Sequence, residues 1–282
     1  MSKLTRRTVL AAPLAAFAAP RGALAGKLGL QFYSLRREAA KDLEAALKLT
    51  RELGFQEVEI GSLYGRTPAE FRRLLDRHGL RATAFGSGWK QLDATLGEVA
   101  QQAHTLGARY ITASQIPRKK QLTVDDALRA AEAFNRWGQG LAKERLEFCY
   151  HIHGYEFVKG PDGTLFDTLA KHMDPKLANF EMDIFWAVFG NEDPAKMLER
   201  YSGRFPLLHV KDIRQGEPRT FNPGTVQEEA SVPLGKGEVD WPPVLRAAAK
   251  HGVRHYYLEE EHPNAVGQIR ESLAFLEKLR LG

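Results

Sequence analysis

The sequence predicts an α/β fold, a (β/α)8 barrel. Short apolar runs recur with helix-like stretches between them, and Gly54, Gly79, Gly107 and Gly252 each fall just ahead of a new run. Eight such units in about 250 residues match the size of a closed barrel. Strands apolar on both faces and separated by helices imply a parallel sheet covered on its outside. The competing architecture, an open doubly wound sheet, usually carries a glycine-rich first turn. The segment QFYSLRRE after the first run has no GxGxxG pattern.

The expected strands cover residues 28–35, 57–62, 81–88, 109–114, 147–154, 178–186, 205–213 and 255–261. Between the first two lies DLEAALKLTRELG (42–54), with Leu43, Ala46, Leu47 and Leu53 on one helical face and Gly54 as its stop. The next helix, 67–79, opens with Thr67-Pro68, a cap followed by proline in the first turn, and closes at Gly79. Residues 214–239 break the rhythm as a long polar loop, either a functional lid or a mobile surface insertion. A shorter loop, 154–164, turns at Pro161-Asp162-Gly163 on the same rim.

The first 25 residues are set apart from the fold. Arg6-Arg7, an alanine-rich apolar stretch and Ala23-Leu24-Ala25 form the pattern of a cleaved export signal, and the arginine pair resembles a twin-arginine signal. The expected organisation is therefore a signal peptide at 1–25 and a single barrel domain at 26–282, exported or periplasmic. Nothing later in the chain is apolar and long enough to cross a membrane. Removal of the signal takes Lys3, Arg6, Arg7 and Arg21 and no acid, so the formal charge falls from +5 to +1. A near-neutral surface lacks the clustered cations that nucleic acid requires. Cys149 is the sole cysteine; no intramolecular disulfide can form, and its apolar strand context predicts a buried, inert thiol.

Four residues, Glu156, Asp183, His209 and Glu259, stand inside or just after such apolar runs. Parallel strands gather their C-terminal ends at one rim, where residues distant in sequence converge. Two Glu, one Asp and one His make an oxygen-rich ligand set suited to one divalent ion, Mn, Mg, Co or Zn. His151 and His153 are two apart on one strand and point the same way. Glu181 is in phase with Asp183, which lies nearer the strand end, and His209 shares a face with Lys211. Trp186 serves either as an apolar wall for a sugar ring or as core. The remaining histidines, His78, His104, His172, His251, His255 and His262, read as surface or capping residues.

The segments GLQFYSLR, VEIG, YHIHGYEF, FEMDIFW, LLHVKD, LGKGEVDW and GVRHYYLEEE, in this order, resemble the sugar phosphate isomerase/epimerase family of xylose isomerase-like barrels. The resemblance implies a metal held by Glu, Asp, His and Glu from four successive positions. Asp183, His209 and Glu259 match directly. Many relatives carry the first Glu earlier on strand five, where this chain has Tyr150 and His151; Glu156 is assigned by position, with His153 as its substitute. Trp186 stands where some epimerases of the group have a histidine, and phosphate-binding loops are not evident.

The implied activity is metal-dependent isomerisation, epimerisation or lysis of a small sugar or keto-sugar derivative through an enediolate. Glu156 or Glu259 is the expected base, while His151 and Lys211 donate to substrate oxygens. Gln31, Tyr33, His153 and Trp186 are assigned to substrate binding. Barrels of this kind often form homo-oligomers. A non-catalytic exported sugar-binding barrel is the alternative; a nuclease is disfavoured by the mature charge.

Overall fold

The structure, a computed structural model, describes Gly22, Leu24 and residues 26–161 and 163–281. The expected export segment otherwise lies outside the described residues. Eight strands close into a parallel barrel: β1 (Leu28–Gln31), β2 (Glu57–Ile60), β3 (Arg81–Gly86), β4 (Tyr110–Ala113), β5 (Glu147–His151), β6 (Ala178–Asp183), β7 (Leu207–Val210) and β8 (His255–Leu258). Each strand pairs with its sequence neighbours, and β1 closes the ring on β8 through Leu28 opposite Tyr256. The barrel expected from the sequence is the one observed.

Local chemistry starts and stops the surrounding helices. The helix Pro68–Arg77 begins in a reciprocal capping box, Thr67 accepting from the Glu70 amide while Glu70 accepts from the Thr67 amide. Val124–Lys143 uses the same device through Thr123 and Asp126. Its buried face, with Phe134 and Trp137, packs against Phe148 and Tyr150, outward residues of β5.

Strand ends fall short of expectation on the functional rim. Phe32–Leu35 is a 3-10 turn, because the Gln31 side chain accepts from the Tyr33 amide at 3.1 Å. Residues 184–189 are a short helix (Ile184–Phe189), started by Asp183 Oδ1 accepting from the Trp186 amide at 3.2 Å. An acceptor one residue into the rim outcompetes the next ladder bond, so extended backbone becomes a turn.

The barrel interior is layered. The floor is ionic: Glu57 binds His255 and Arg81, each at 3.0 Å, and Glu147 binds Arg109 at 2.6 Å and Arg254 at 3.3 Å. His255, expected as a surface or capping residue, is therefore a strand residue of this floor. Above it Ala84, Tyr110, Cys149, Leu207 and Tyr257 form an apolar plug. Tyr257 crosses the barrel to hydrogen-bond Thr83 at 2.7 Å. Gly29 permits the crossing, since a Cβ there lies 2.9 Å from the Tyr257 ring. The polar residues of the upper layer are therefore held above a closed base.

The long loop 214–239 is ordered by specific contacts. Ser231–Val232 pairs antiparallel with Asp212–Ile213. The buried Asp212 carboxylate accepts from the amides of Ile213, Gly235, Gly237 and Val239 and from the Trp241 indole N–H, at 2.9–3.3 Å. Gly237 is required beside it: a Cβ would lie 2.1 Å from Asp212 Oδ1. Glu228 reaches from the loop to Arg36 and Arg37, both at 2.6 Å, and Arg36 also donates to the Glu261 carbonyl. Of the two readings of the loop, a mobile insertion does not describe these anchored contacts.

Candidate metal centre and substrate pocket

Strand alternation turns Glu59 of β2, His151 of β5, Glu181 and Asp183 of β6, and His209 of β7 inward, with Lys211 and Glu259 just beyond β7 and β8. All are buried. Glu59, His151, Glu181, His209 and Glu259 line a cavity of about 480 Å³ that opens at the rim, with Asp183 and Lys211 packed behind them. Phe32, Tyr33, Tyr64 and Trp186 supply its aromatic lining, and Gln31, Ser62, Ser114 and Gln115 its neutral polar lining.

His209 is the hub. Its Nδ1 faces Glu259 at 3.0 Å and Asp183 at 3.7 Å, and its Nε2 faces Glu59 at 2.7 Å and Glu181 at 3.4 Å. Burial alone depresses its pKa, but Glu181, Glu59 and Glu259 together outweigh burial and hold it well above the ordinary value. His151 places Nδ1 3.0 Å from Glu181 and Nε2 3.9 Å from Asp183. Burial and the neighbouring His209 push it down to about 4, so it is a neutral donor-acceptor. Burial, then the Glu181 charge, raises Glu59 to about 7.

This cluster fits a cation. Four buried carboxylates share one lysine and two imidazoles, and Asp183 Oδ2 and Glu181 Oε1 are buried with no hydrogen-bond partner. Orphaned buried acceptors are costly unless a ligand satisfies them. Among the described residues, two triads have ligand atoms close enough for one ion: His151–Asp183–His209 and Glu59–Glu181–His209.

The structure brings together Asp183, His209 and Glu259 of the expected ligand set and leaves Glu156 apart. Its carboxyl is fully buried against Tyr150 Oη at 2.5 Å and the His153 amide at 3.1 and 3.2 Å. Tyr150 faces the helices because its neighbours Cys149 and His151 face inward. Glu156 follows it outward, so it is neither a ligand nor a base at this centre. His151, expected as a donor, stands instead with Asp183 and His209 in one of the two triads. His153, Trp186, Gln31 and Tyr33 all line the cavity, Tyr33 being 48% exposed at its mouth. His153 Nδ1 is buried without a partner. Lys211 sits behind the wall, 3.4 Å from Glu259 and 2.5 Å from Glu261. Burial opposes its charge, but Glu259, Glu261 and Asp183 raise its pKa above the ordinary value, fixing it as a cation.

Sequence reasoning missed Glu59, which also accepts from Thr112 at 3.0 Å, and left Glu181 as a deeper bystander. The available signal was the alternation in EVEI, which puts two carboxylates on one face of an otherwise apolar strand.

The burial of Glu156 has a pH signature. Burial outweighs its hydrogen bonds and raises its pKa from 4.5 to about 7. Its contribution to stability is present below pH 4.5 and lost as pH rises through 7, by up to about 3 kcal/mol. Glu156→Gln is expected to match the wild type near pH 4.5 and exceed it at pH 8 in urea unfolding. A pH-independent difference between the two proteins contradicts this account.

The profile of the family described as xylose isomerase-like TIM barrel matches residues 47–279. The chain belongs to this family. This xylose isomerase-like barrel is 23% identical over 223 residues to the inosose dehydratase of Geobacillus kaustophilus (strain HTA426), covering 69% of this chain and 71% of the relative. Its fold is similar to the crystal structure of a sugar phosphate isomerase/epimerase from Parabacteroides distasonis ATCC 8503, with a TM-score of 0.72, 26% identity, and coverage of 91% of this chain and 96% of that one. It is also similar in fold to the IOLI protein with a binding zinc atom, at a TM-score of 0.67 and 14% identity, covering 89% and 95% of the two chains.

Proposed function

We propose that this chain is a divalent-metal-dependent lyase or isomerase acting on an uncharged keto-sugar or keto-cyclitol. The observation that carries the reading is the buried His151–Asp183–His209 triad, with Glu259 beside it, at the base of a cavity with neutral polar and aromatic walls. Support comes from relatives that are inosose dehydratases and from a barrel of the same fold that holds zinc. His151, Asp183, His209 and Glu259 would hold the ion. When bound, it supplies Lewis-acid polarisation of the substrate carbonyl.

The side chains of this protein do the rest. Trp186 and Tyr33 flank the ring, and Gln31 orients a hydroxyl. His153 lines the cavity beside Trp186, and burial, then the adjacent His151, lowers its pKa well below the ordinary value, so the imidazole is neutral there and a weak base. His153 takes the proton from the carbon next to the carbonyl, giving an enediolate. Delivery of that proton to a hydroxyl on the following carbon releases water and completes a dehydration; delivery to the neighbouring carbon gives an isomer. Lys211 and His209 overcome burial to keep Glu259 ionised throughout.

Among the described residues no Lys or Arg lines the cavity, whereas Glu59, Glu181, Glu259 and Glu261 do. A phosphate dianion there meets carboxylates whose cationic partners, Lys211 and His209, are already engaged with them. Neutral keto-polyols, including inososes, are expected to exchange the α-proton in D2O or lose water with Mn²⁺- or Co²⁺-loaded protein. Their phosphorylated counterparts should react at least about 100-fold more slowly in kcat/KM, equivalent to about 3 kcal/mol. Comparable turnover of the phosphates removes the charge argument. Silence across neutral ketoses and inososes with loaded metal removes the enzymatic reading.

A further inference from the structure

We infer that Glu59 and Glu181 are not ligands of the ion but positioning residues that fix its two histidines in opposite tautomers, His209 bound through Nδ1 and His151 through Nε2. The inference rests on the metal-dependent reading above and assigns a separate job to the second buried triad.

The two imidazoles present different nitrogens to the shared acid. On His209, Nδ1 is the nitrogen near Asp183 and Glu259, while Nε2 is 2.7 Å from Glu59 Oε2. On His151, Nε2 is the nitrogen near Asp183, and Nδ1 is 3.0 Å from Glu181 Oε2. A neutral imidazole has one N–H and one lone pair. A nitrogen that donates to a carboxylate leaves the other as the ligand, and such a carboxylate fixes ring orientation and raises ligand basicity. Each histidine thus has its own orienting carboxylate on the side away from Asp183.

The partners of these acids argue the same way. Glu59 is oriented at both oxygens, Oε1 accepting from Thr112 at 3.0 Å and Oε2 facing His209, so its carboxylate is turned toward the ring it positions. Asp183 differs: Oδ1 is used on the Trp186 amide and Oδ2 has no partner at all. Glu181 gives Oε2 to His151 and, like Asp183, keeps one oxygen without a hydrogen bond; its Oε1 lies 3.4 Å from His209 Nε2, on the side of that ring turned away from Asp183, and position rather than partners sets it apart.

The test uses the full-length mature protein with Zn²⁺ and Co²⁺ as probes. Chelator competition gives affinity, elemental analysis gives stoichiometry, and the Co²⁺ visible spectrum reports the ligand set. Glu59→Gln and Glu181→Gln are expected to bind one ion per chain, about 10- to 100-fold more weakly than wild type, with an unchanged Co²⁺ band shape. Long-range ¹H–¹⁵N NMR of the wild-type zinc form should show His209 protonated at Nε2 and His151 at Nδ1, a result that does not depend on any variant folding. Two ions per wild-type chain, one lost in each Gln variant, overturns the inference by making the second triad a metal site. Unchanged affinity in both variants, or identical tautomers, overturns it while leaving the metal reading intact. A wild-type protein that takes up no ion sinks both.

Discussion

Asp183→Asn is expected to eliminate stoichiometric divalent metal while the barrel stays folded. The two oxygens of Asp183 have separate duties: Oδ1 starts the helix Ile184–Phe189 through the Trp186 amide, and Oδ2 is the orphaned buried acceptor between His151 and His209. Asparagine caps a helix about as well as aspartate, so the first duty survives. It brings no charge, so the second does not. The loss should exceed the roughly 10- to 100-fold effect of removing an orienting carboxylate. Asp183→Ala should lose the metal equally and add about 1 kcal/mol of destabilisation from the missing cap. Elemental analysis of protein purified without chelator decides the matter: one ion per chain retained in either variant means that the ligand set is wrong.

The second large effect is on the rim rather than at the ion. Asp212→Ala removes the acceptor for four backbone amides and the Trp241 indole, all within 3.3 Å. Each donor left buried and unpaired costs about 1–3 kcal/mol, but part of the loop can reach water, so a total of about 3–5 kcal/mol is expected. The same change frees the segment 233–239 from its anchor. Urea unfolding should show the lost stability, and limited proteolysis should cut the variant in this segment and spare the wild type. An unchanged midpoint together with an unchanged cleavage pattern rules out Asp212 as the organiser of the loop.

The barrel was legible because its signals are local and repeated. Capping at Thr67, the glycine stops and the apolar runs each name an element without reference to the others. Asp183, His209 and Glu259 were legible for the same reason: a charged residue in an apolar strand has few positions to occupy. Glu156 failed because distance along the chain says nothing about which way a side chain turns after the strand ends. Gly154 takes φ +86° there and the chain folds into a 3-10 turn, carrying the carboxyl outward. Glu59 was hidden differently. Its partner His209 is 150 residues away, and only closure of the ring between β1 and β8 brings them to 2.7 Å.

The ionic floor and the tyrosine plug above it turn the cavity into a cul-de-sac. Substrate and product of the proposed reaction would pass at the rim, where Tyr33 stands half exposed at the mouth. A product that lingers at this mouth would also bar the next substrate. Turnover in such a chamber depends on how the doorway clears as much as on the chemistry at its far end.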